Sequence, residues 1–399
     1  MNTTKLILAL AAVAATAVED KPVAVAAVLE DNKPDPSPRS LRGKSAGAIE
    51  AKLQNRVGGR QPRMGSYVPP EPLNVYVSDW GTEQLLLSRG ECESECTVST
   101  SIFWSDPEKS NRIKCVQKGR DGYVYAGEMR TDAVYKLKDT DDDGVADDVK
   151  VWFSAAANAE GFPLPIPMSV WDGEEAVYIL NAGNELGEEA DVVYATKDLN
   201  SDGDANEAGE ATKWLEFSPS VPFSMEFQGD VAYIYDQNEN KEGFVWRAED
   251  KDKSGSVETS HPVDCVDAEG TGNEFCIYAK IAGIPPLGIS VSAAMDGPDV
   301  VYVDANFMPA SKGVFRMKGG GQIPLTDTEL VWDPSLHPVI GDIAGADIRA
   351  KDGEIWVTTD ARVLRLVDMD GDGKYNSEGE TLVWLEGAPL DRPKALDVV

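Results

Sequence analysis

A repeating arrangement of short strands, beginning near residue 72, constrains the fold of this chain more than any other feature. Each repeat spans roughly 50 to 60 residues and contains alternating apolar segments separated by Asp- and Gly-rich turns, with no amphipathic helix between them. Five repeats place a tryptophan in their last strand, and one has Phe275-Cys-Ile-Tyr278 there instead. These tryptophans are Trp104, Trp152, Trp214, Trp332 and Trp384. Six such units predict an all-β fold, a six-bladed β-propeller of four-stranded blades.

The two ends of the repeat region predict how the ring of blades closes. The first unit starts at a second strand, Leu73–Asp79, with no inner strand before it. The last residues, Ala395-Leu-Asp-Val-Val399, resemble the inner strands at Met168–Trp171 and Ala346–Ile348. We therefore expect the C-terminal strand to complete the first blade and to close the propeller.

The residues before the propeller have a different character. Residues 1–17 have the features of a secretory signal peptide: a basic Lys5, an apolar run from Leu6 to Val13 and the small residues Ala15-Thr-Ala17. Residues 18–70 are rich in Pro, Gly and basic side chains, which predicts a linker or pro-segment, and the propeller occupies residues 71–399. A transmembrane helix needs about 20 apolar residues, and the apolar run is shorter. We therefore expect a secreted, extracellular protein with no transmembrane segment.

The charge balance restricts the partners of the protein. The chain has 37 basic and 69 acidic residues, which gives a net charge of −32. Such a chain repels nucleic acid and anionic membrane surfaces and attracts cations. We expect no nucleic-acid partner, and the open choices for a ligand are an extracellular protein or a carbohydrate.

Five cysteines suit an oxidising compartment. Cys265 and Cys276 enclose a short polar loop and are expected to form a disulfide. Cys92, Cys96 and Cys115 leave one cysteine over; a pairing of Cys115 with Cys92 or Cys96 is one solution, and the sequence leaves the pairing of these three open.

Four segments share one acidic spacing, with oxygen-bearing side chains at positions 1, 3, 5 and 9 around a glycine at position 6. This is the spacing with which a single loop wraps Ca²⁺, and a backbone carbonyl at position 7 adds a further ligand. The predicted metal ligands are Asp139, Asp141, Asp143 and Asp147; Asp198, Asn200, Asp202 and Asn206; Asp250, Asp252, Ser254 and Glu258; and Asp368, Asp370, Asp372 and Asn376. The spacing predicts three to four structural calcium sites, because Ser254 makes the third segment the weakest.

These segments differ from the helical EF-hand. A predicted strand, not a helix, precedes each of them, and position 12 is never Glu. Glu210 and Glu380, at position 13 of two segments, are expected to take the role of that Glu. All four segments join the third and fourth strands of a blade, so we expect them on the face opposite the usual ligand pocket of a propeller. The metals are therefore predicted to be structural.

Two motifs carry a resemblance to known families. Tyr76-Val-Ser-Asp-Trp-Gly81 resembles the repeat signature of six-bladed NHL and YWTD propellers, and Val134-Tyr-Lys-Leu-Lys-Asp139 with its acidic loop resembles sugar dehydrogenase-like propellers. The resemblance covers about residues 72–399 and implies the same fold. It also implies two activities at the central channel, those of a gluconolactonase and of a quinoprotein sugar dehydrogenase.

The resemblance supplies only a few candidate catalytic residues. A gluconolactonase-like site uses a Glu, two Asn and an Asp, and the nearest candidates are Glu128, Asn181, Asn184 and Asp236. A quinoprotein site holds pyrroloquinoline quinone (PQQ) and needs a histidine base, for which His337 is the candidate. The acids at the ends of second strands have an alternative role, since in such blades they brace loops through backbone hydrogen bonds.

Two functions remain open from the sequence. The first is a secreted, calcium-binding propeller that acts as a binding module in the extracellular matrix or at the cell surface. The second is an enzyme acting on sugars or lactones in the central channel. The absence of a recognisable catalytic set favours the first.

Overall fold

The computed structural model describes residues 72–92, 96–105, 112–183, 191–217, 221–237, 243–259, 263–266, 273–281, 293–304, 313–318, 324–337, 347–359 and 361–399. The predicted signal peptide (1–17) and linker (18–70) lie outside these residues, as does the candidate Asn184. No helix in these ranges is both long enough and apolar enough to cross a membrane.

Six four-stranded antiparallel sheets follow one another along the chain, as predicted. Blade 1 begins with β1 (Leu73–Asp79), β2 (Gln84–Cys92) and β3 (Cys96–Trp104), and blade 2 has β4 (Ile113–Lys118), β5 (Val124–Glu128), β6 (Ala133–Lys138) and β7 (Asp148–Ser154). Blade 3 has β8 (Pro167–Asp172), β9 (Val177–Asn181), β10 (Asp191–Thr196) and β11 (Ala211–Phe217), and blade 4 has β12 (Val221–Gln228), β13 (Val231–Gln237), β14 (Gly243–Ala248) and β15 (Phe275–Ile281). Blade 5 has β16 (Ala293–Asp296), β17 (Asp299–Asp304), β18 (Gly313–Met317) and β19 (Thr328–Trp332), followed by a 3₁₀ turn at Pro334–Leu336. Blade 6 has β20 (Ile348–Lys351), β21 (Glu354–Thr358), β22 (Arg362–Val367) and β23 (Thr381–Glu386), and β24 (Pro393–Val398) returns to blade 1.

The C-terminal strand closes the ring, as the sequence predicted. Strand β24 pairs with β1, so that Val398 lies opposite Val75 and Leu396 lies opposite Val77. Leu396 is fully buried. Blade 1 is therefore built from both ends of the described chain.

The core lies between the blades. Six clusters of buried apolar residues fill the six gaps between neighbouring blades, and we call each gap a seam. The last-strand tryptophans lie in these clusters; Trp152, for example, packs edge-on against Tyr125 at 5.6 Å between ring centroids. Burying one such side chain contributes about 1.5–3 kcal/mol, so the seams hold the ring together.

A β-bulge recurs in the inner strands. Each bulge inserts one extra residue opposite the end of the second strand of the same blade. The inserted residues are Lys394 in β24, Lys114 in β4, Met168 in β8 and Phe223 in β12. A bulge changes the direction in which its extra side chain points.

The disulfides agree only partly with the expectation from sequence. Cys265 and Cys276 are bonded, as predicted. Cys92 is bonded to Cys96 across the β2–β3 hairpin and Cys115 is a buried free thiol, so neither of the Cys115 pairings considered from the sequence forms. Cys115 belongs to the inner strand β4, where its Sγ lies 3.5 Å from the carbonyl oxygen of Pro167 on blade 3. The two cysteines of the hairpin, by contrast, lie directly opposite each other in the strand register.

Candidate functional site

The four acidic loops occupy the same place in four blades. They follow the third strands β6, β10, β14 and β22 and precede the fourth strands of the same blades, as predicted. The four loops also have similar backbone dihedral angles. Positions 4 and 6 of each loop have positive φ, at Asp142 and Gly144, Ser201 and Gly203, Lys253 and Gly255, and Gly371 and Gly373. Because this combination is uncommon outside glycine, its recurrence shows that the four loops share one conformation.

One hydrogen bond organises every loop. The carboxylate at position 1 accepts the amide of the glycine at position 6, so the chain folds around the acid. The four bonds are Gly144 to Asp139 at 2.8 Å, Gly203 to Asp198 at 2.9 Å, Gly255 to Asp250 at 2.8 Å and Gly373 to Asp368 at 2.9 Å. The side chains at positions 3 and 5 accept the amides two residues further on, as Asp370 and Asp372 do from Asp372 and Lys374.

A second acid completes each loop by accepting the amide at position 2. Glu210 and Glu380, both buried, receive the amides of Leu199 and Met369. Asp147 has this role in blade 2, where it accepts the amide of Thr140 at 2.9 Å. In blade 4 the acid is Glu274, just before β15, which accepts the amide of Lys251 at 2.9 Å. Sequence reasoning missed Glu274 because a long insertion separates it from its loop.

Carboxylate oxygens converge in these loops. In four groups, one oxygen from each of three acids lies within 4.8 Å of the other two. The groups are Asp139, Asp141 and Asp147; Asp202, Asp204 and Glu207; Asp250, Asp252 and Glu274; and Asp368, Asp370 and Asp372. Carboxylates this close repel one another unless a cation lies among them.

Asp139 gives the strongest indication of a cation. Its Oδ1 is buried and, within the described part of the chain, accepts no hydrogen bond of ordinary geometry. Burial raises the pKa of this carboxyl, yet the nearby amides, led by that of Gly144, and the Arg89 cation hold the pKa below its usual value. Asp139 is therefore a charged carboxylate, and one of its two oxygens accepts no hydrogen bond from the described residues. Hard divalent cations prefer such oxygen ligands.

The asparagines at position 9 also make contacts outside their own loops. Asn206 Oδ1 accepts the amide of Ser154 at 3.0 Å, and Asn376 Oδ1 accepts the amide of Asp333 at 2.8 Å. Both partners lie at the end of the last strand of the preceding blade or just after it. These amide side chains therefore tie neighbouring blades together.

The residue at position 8 makes the same connection through its backbone. Its amide donates to a carbonyl oxygen on the last strand of the preceding blade. The bonds run from Ala146 to Phe103 (2.7 Å), Ala205 to Trp152 (2.8 Å), Val257 to Trp214 (2.6 Å) and Tyr375 to Val331 (2.8 Å). The acidic loops thus lie across the seams 1/2, 2/3, 3/4 and 5/6, and their order is coupled to the cohesion of the ring.

The candidate acids at the ends of second strands act as braces. Glu128 is buried, and its carboxylate accepts the amides of Arg112, Arg130 and Thr131 as well as the Thr131 hydroxyl. Asn181 accepts the amide of Ile166 at 3.2 Å, and Asp236 accepts the indole N–H of Trp246 at 2.9 Å. Each of these side chains is engaged within its own blade or the segment that leads into it.

His337 lies away from the channel. Its ring stacks on Trp332 at 5.7 Å between centroids, and its Nε2 lies 3.5 Å from Thr381 Oγ1. Trp332 and Thr381 belong to the outer strands β19 and β23, so the histidine lies at the rim of blades 5 and 6. Burial lowers its pKa below the usual value.

The inner strands bring together charged residues that sequence reasoning did not single out. Arg349 on β20 is surrounded by carboxylates; burial lowers its pKa, but Asp347, Asp397 and Glu226 more than offset that effect and leave the pKa raised. Burial raises the pKa of Glu226 on β12 to about 7, although its carboxylate accepts the amide of Met295 at 2.9 Å. Glu226 and Arg349 lie on the inner strands of blades 4 and 6, and each acts electrostatically on the pKa of the other across the central channel. No sequence pattern indicates that these two charged side chains interact.

No family model and no curated protein sequence matches the chain. Solved structures that match the chain include a virginiamycin B lyase from Staphylococcus aureus bound to quinupristin, with 10% identity, a TM-score of 0.43, and coverage of 82% of this chain and 89% of that one. The PQQ-bound aldose sugar dehydrogenase from Streptomyces coelicolor matches with 12% identity, a TM-score of 0.43, and coverage of 82% and 90%. The lectin SapL1, in complex with α-methyl fucoside, matches with 9% identity, a TM-score of 0.41, and coverage of 80% and 98%.

These neighbours differ in what they bind, so they do not assign a ligand to this chain. The blade count, strand order and closure described above are consistent with the NHL- and gluconolactonase-like type expected from the sequence. The chain is a six-bladed β-propeller of four-stranded blades, closed by its C-terminal strand.

Proposed function

We propose that this protein is a secreted, calcium-stabilised propeller that acts as a binding module in the extracellular matrix or at the cell surface. The observation that carries the calcium part is the buried Oδ1 of Asp139, which lacks a hydrogen-bond partner among the described residues and lies beside two further carboxylates. The predicted signal peptide (1–17) and the linker (18–70) complete the proposal, since extracellular calcium is plentiful enough to fill loops of modest affinity.

The side chains at positions 1, 3 and 5 would hold the ion in each loop. In blade 6 these are Asp368, Asp370 and Asp372, an all-oxygen set suited to Ca²⁺. The ion would neutralise the mutual repulsion of the carboxylates. Glu380 would keep the loop closed through the amide of Met369, and Asn376 would tie the loop to blade 5.

A melting experiment tests the calcium part. Differential scanning calorimetry in Ca²⁺ and in a chelator is expected to show a large drop in melting temperature on chelation, because each site filled at 100 times its dissociation constant contributes about 2.7 kcal/mol. Asp368→Asn should remove part of this calcium-dependent shift. Asp352→Asn, an exposed control in the β20–β21 turn, should keep all of it. Equal melting temperatures with and without chelator would refute the calcium sites.

The binding role is supported by the engagement of the candidate catalytic groups. Glu128 is occupied by backbone amides, and His337 lies at the rim. Among the described residues, no histidine lines the channel, so these residues do not fit the base that a PQQ-dependent dehydrogenase requires.

A second candidate function is an enzyme that acts on sugars or lactones. It is favoured by Glu226, whose carboxyl has a pKa of about 7 in the channel and therefore suits a general base near neutral pH. The test is a turnover screen of aldoses and lactones with added Ca²⁺ or PQQ. Robust turnover that is lost in Glu226→Gln would replace the binding role with this one.

A further inference from the structure

The mouth of the channel between blades 1 and 2 concentrates basic side chains around one tryptophan. Trp80 lies in the turn after β1, is partly exposed, and donates its indole N–H to the Ile113 carbonyl oxygen at 2.7 Å. Arg112, Lys114 and Lys394 place their charged groups 6.0, 5.6 and 5.4 Å from its ring centroid. We call these four residues the basic mouth. The cations come from the segment before β4, from β4 itself and from β24.

The cluster contrasts with the rest of the molecule. In a chain with a net charge of −32, three cations around a single ring are a local reversal of sign. Attraction to the ring face offsets part of the mutual repulsion of the three cations. Asp391 packs against Gly81 beside Trp80, and Asp347 lies near enough to Lys114 to act on its charge, so among the described residues the three cations outnumber these two acids. Such a reversal attracts an anion to the mouth.

The inner-strand bulges aim two of the three cations at the tryptophan. Lys114 and Lys394 are the inserted residues of the bulges in β4 and β24. The inserted residues of the same bulges in blades 3 and 4 are apolar, namely Met168 and Phe223. The bulge therefore accommodates an apolar side chain equally well, and lysine is not required to build it. The two lysines are a local specialisation of blades 1 and 2.

We propose that the basic mouth binds an acidic sugar, a hexuronate unit of an anionic carbohydrate. Its carboxylate would lie among Arg112, Lys114 and Lys394, since a charge-assisted bond between a cation and a carboxylate is about twice as strong as a neutral one. The apolar face of the sugar ring would lie against the exposed part of Trp80. The proposal rests on the binding role proposed above and names its ligand class.

Titration of the full-length protein tests the proposal. Digalacturonate, neutral galactobiose and acetate would be added at constant Ca²⁺, with binding followed by calorimetry and tryptophan fluorescence. We expect digalacturonate to bind at least about tenfold more tightly than galactobiose or acetate, which corresponds to about 1.4 kcal/mol. Its affinity should fall as salt rises, because salt screens exposed charges.

Variants separate recognition from structural support. Lys114→Met and Lys394→Met copy the residue that blade 3 carries in the same bulge, and each should weaken digalacturonate binding at least about tenfold while leaving the melting temperature close to that of the parent. Lys213→Met, on the outer strand β11, is the matched control and should bind as the parent does. A variant that melts lower yet binds normally would show that the cations only support the fold.

Three results would overturn the proposal: equal binding of galactobiose, equal binding of acetate, or tighter binding of PQQ than of digalacturonate. The proposed function is judged separately, because its calcium-dependent melting does not involve the basic mouth. A calcium-stabilised protein that ignores digalacturonate would therefore refute the ligand class alone.

Discussion

Truncation of Leu396 is the sharpest test of ring closure by β24. Leu396 is fully buried in the seam between blades 6 and 1, in a cluster that also contains Trp356 and Trp384. Replacing a buried leucine by alanine costs about 2–5 kcal/mol, while a whole domain is stable by only about 5–15 kcal/mol. Leu396→Ala should therefore remove a large fraction of the stability, and deletion of residues 395–399 should prevent folding.

Denaturant unfolding followed by tryptophan fluorescence measures this effect, with Trp356 and Trp384 as reporters in the same cluster. Leu336→Ala is the matched control, because Leu336 in the 3₁₀ turn is 59% exposed and its truncation should change stability by less than about 0.5 kcal/mol. Equal stabilities of the Leu396 and Leu336 variants, or a deletion that melts like the parent, would refute the closure.

Two further predictions concern backbone strain and pH. Ser201 has a φ of 65° at position 4 of its loop, where Gly371 of blade 6 has 76°. Because glycine adopts positive φ with less strain, Ser201→Gly should raise the free energy of unfolding by up to about 1 kcal/mol, and Gly371→Ser should lower it. Denaturant titrations in which both variants shift in the same direction would contradict this. Glu226 has its pKa raised from 4.5 to about 7, so its contribution to stability is present below pH 4.5 and is lost as the pH rises through 7. Glu226→Gln should accordingly gain stability relative to the parent across that range, and a difference that stays constant from pH 4.5 to 8 in melting experiments would disprove the assignment.

The fold was predictable because its signals are local and repeated. Alternating apolar strands recur in each unit, and five of the six units have a tryptophan in the last strand, so a misread strand in one unit is corrected by the others. The closure by Ala395–Val399 was predictable for the same reason, since those residues resemble other inner strands. The positions of the acidic loops followed from the strand order alone.

The side-chain partners in the sites depend on contacts between blades. The spacing of residues within one loop does not predict these contacts. Asn206 and Asn376 fit the spacing of metal ligands, yet the structure engages their side chains with the preceding blade. Glu274 completes a loop from a distant position. The basic mouth was missed because it joins three segments that meet only when β24 closes the ring and two bulges turn their lysines toward Trp80.

The free thiol of Cys115 has a consequence for how this protein survives unfolding. In the folded state burial raises the pKa of the thiol to about 12, so almost no thiolate exists to attack a disulfide. Unfolding restores an ordinary thiol to a chain that carries two disulfides, Cys92–Cys96 and Cys265–Cys276. Above neutral pH the liberated thiolate exchanges with them and scrambles the pairing, whereas acid suppresses the exchange. Burial of Cys115 in the seam between blades 2 and 3 thus protects the disulfides from exchange. We expect reversible unfolding at low pH or in Cys115→Ser.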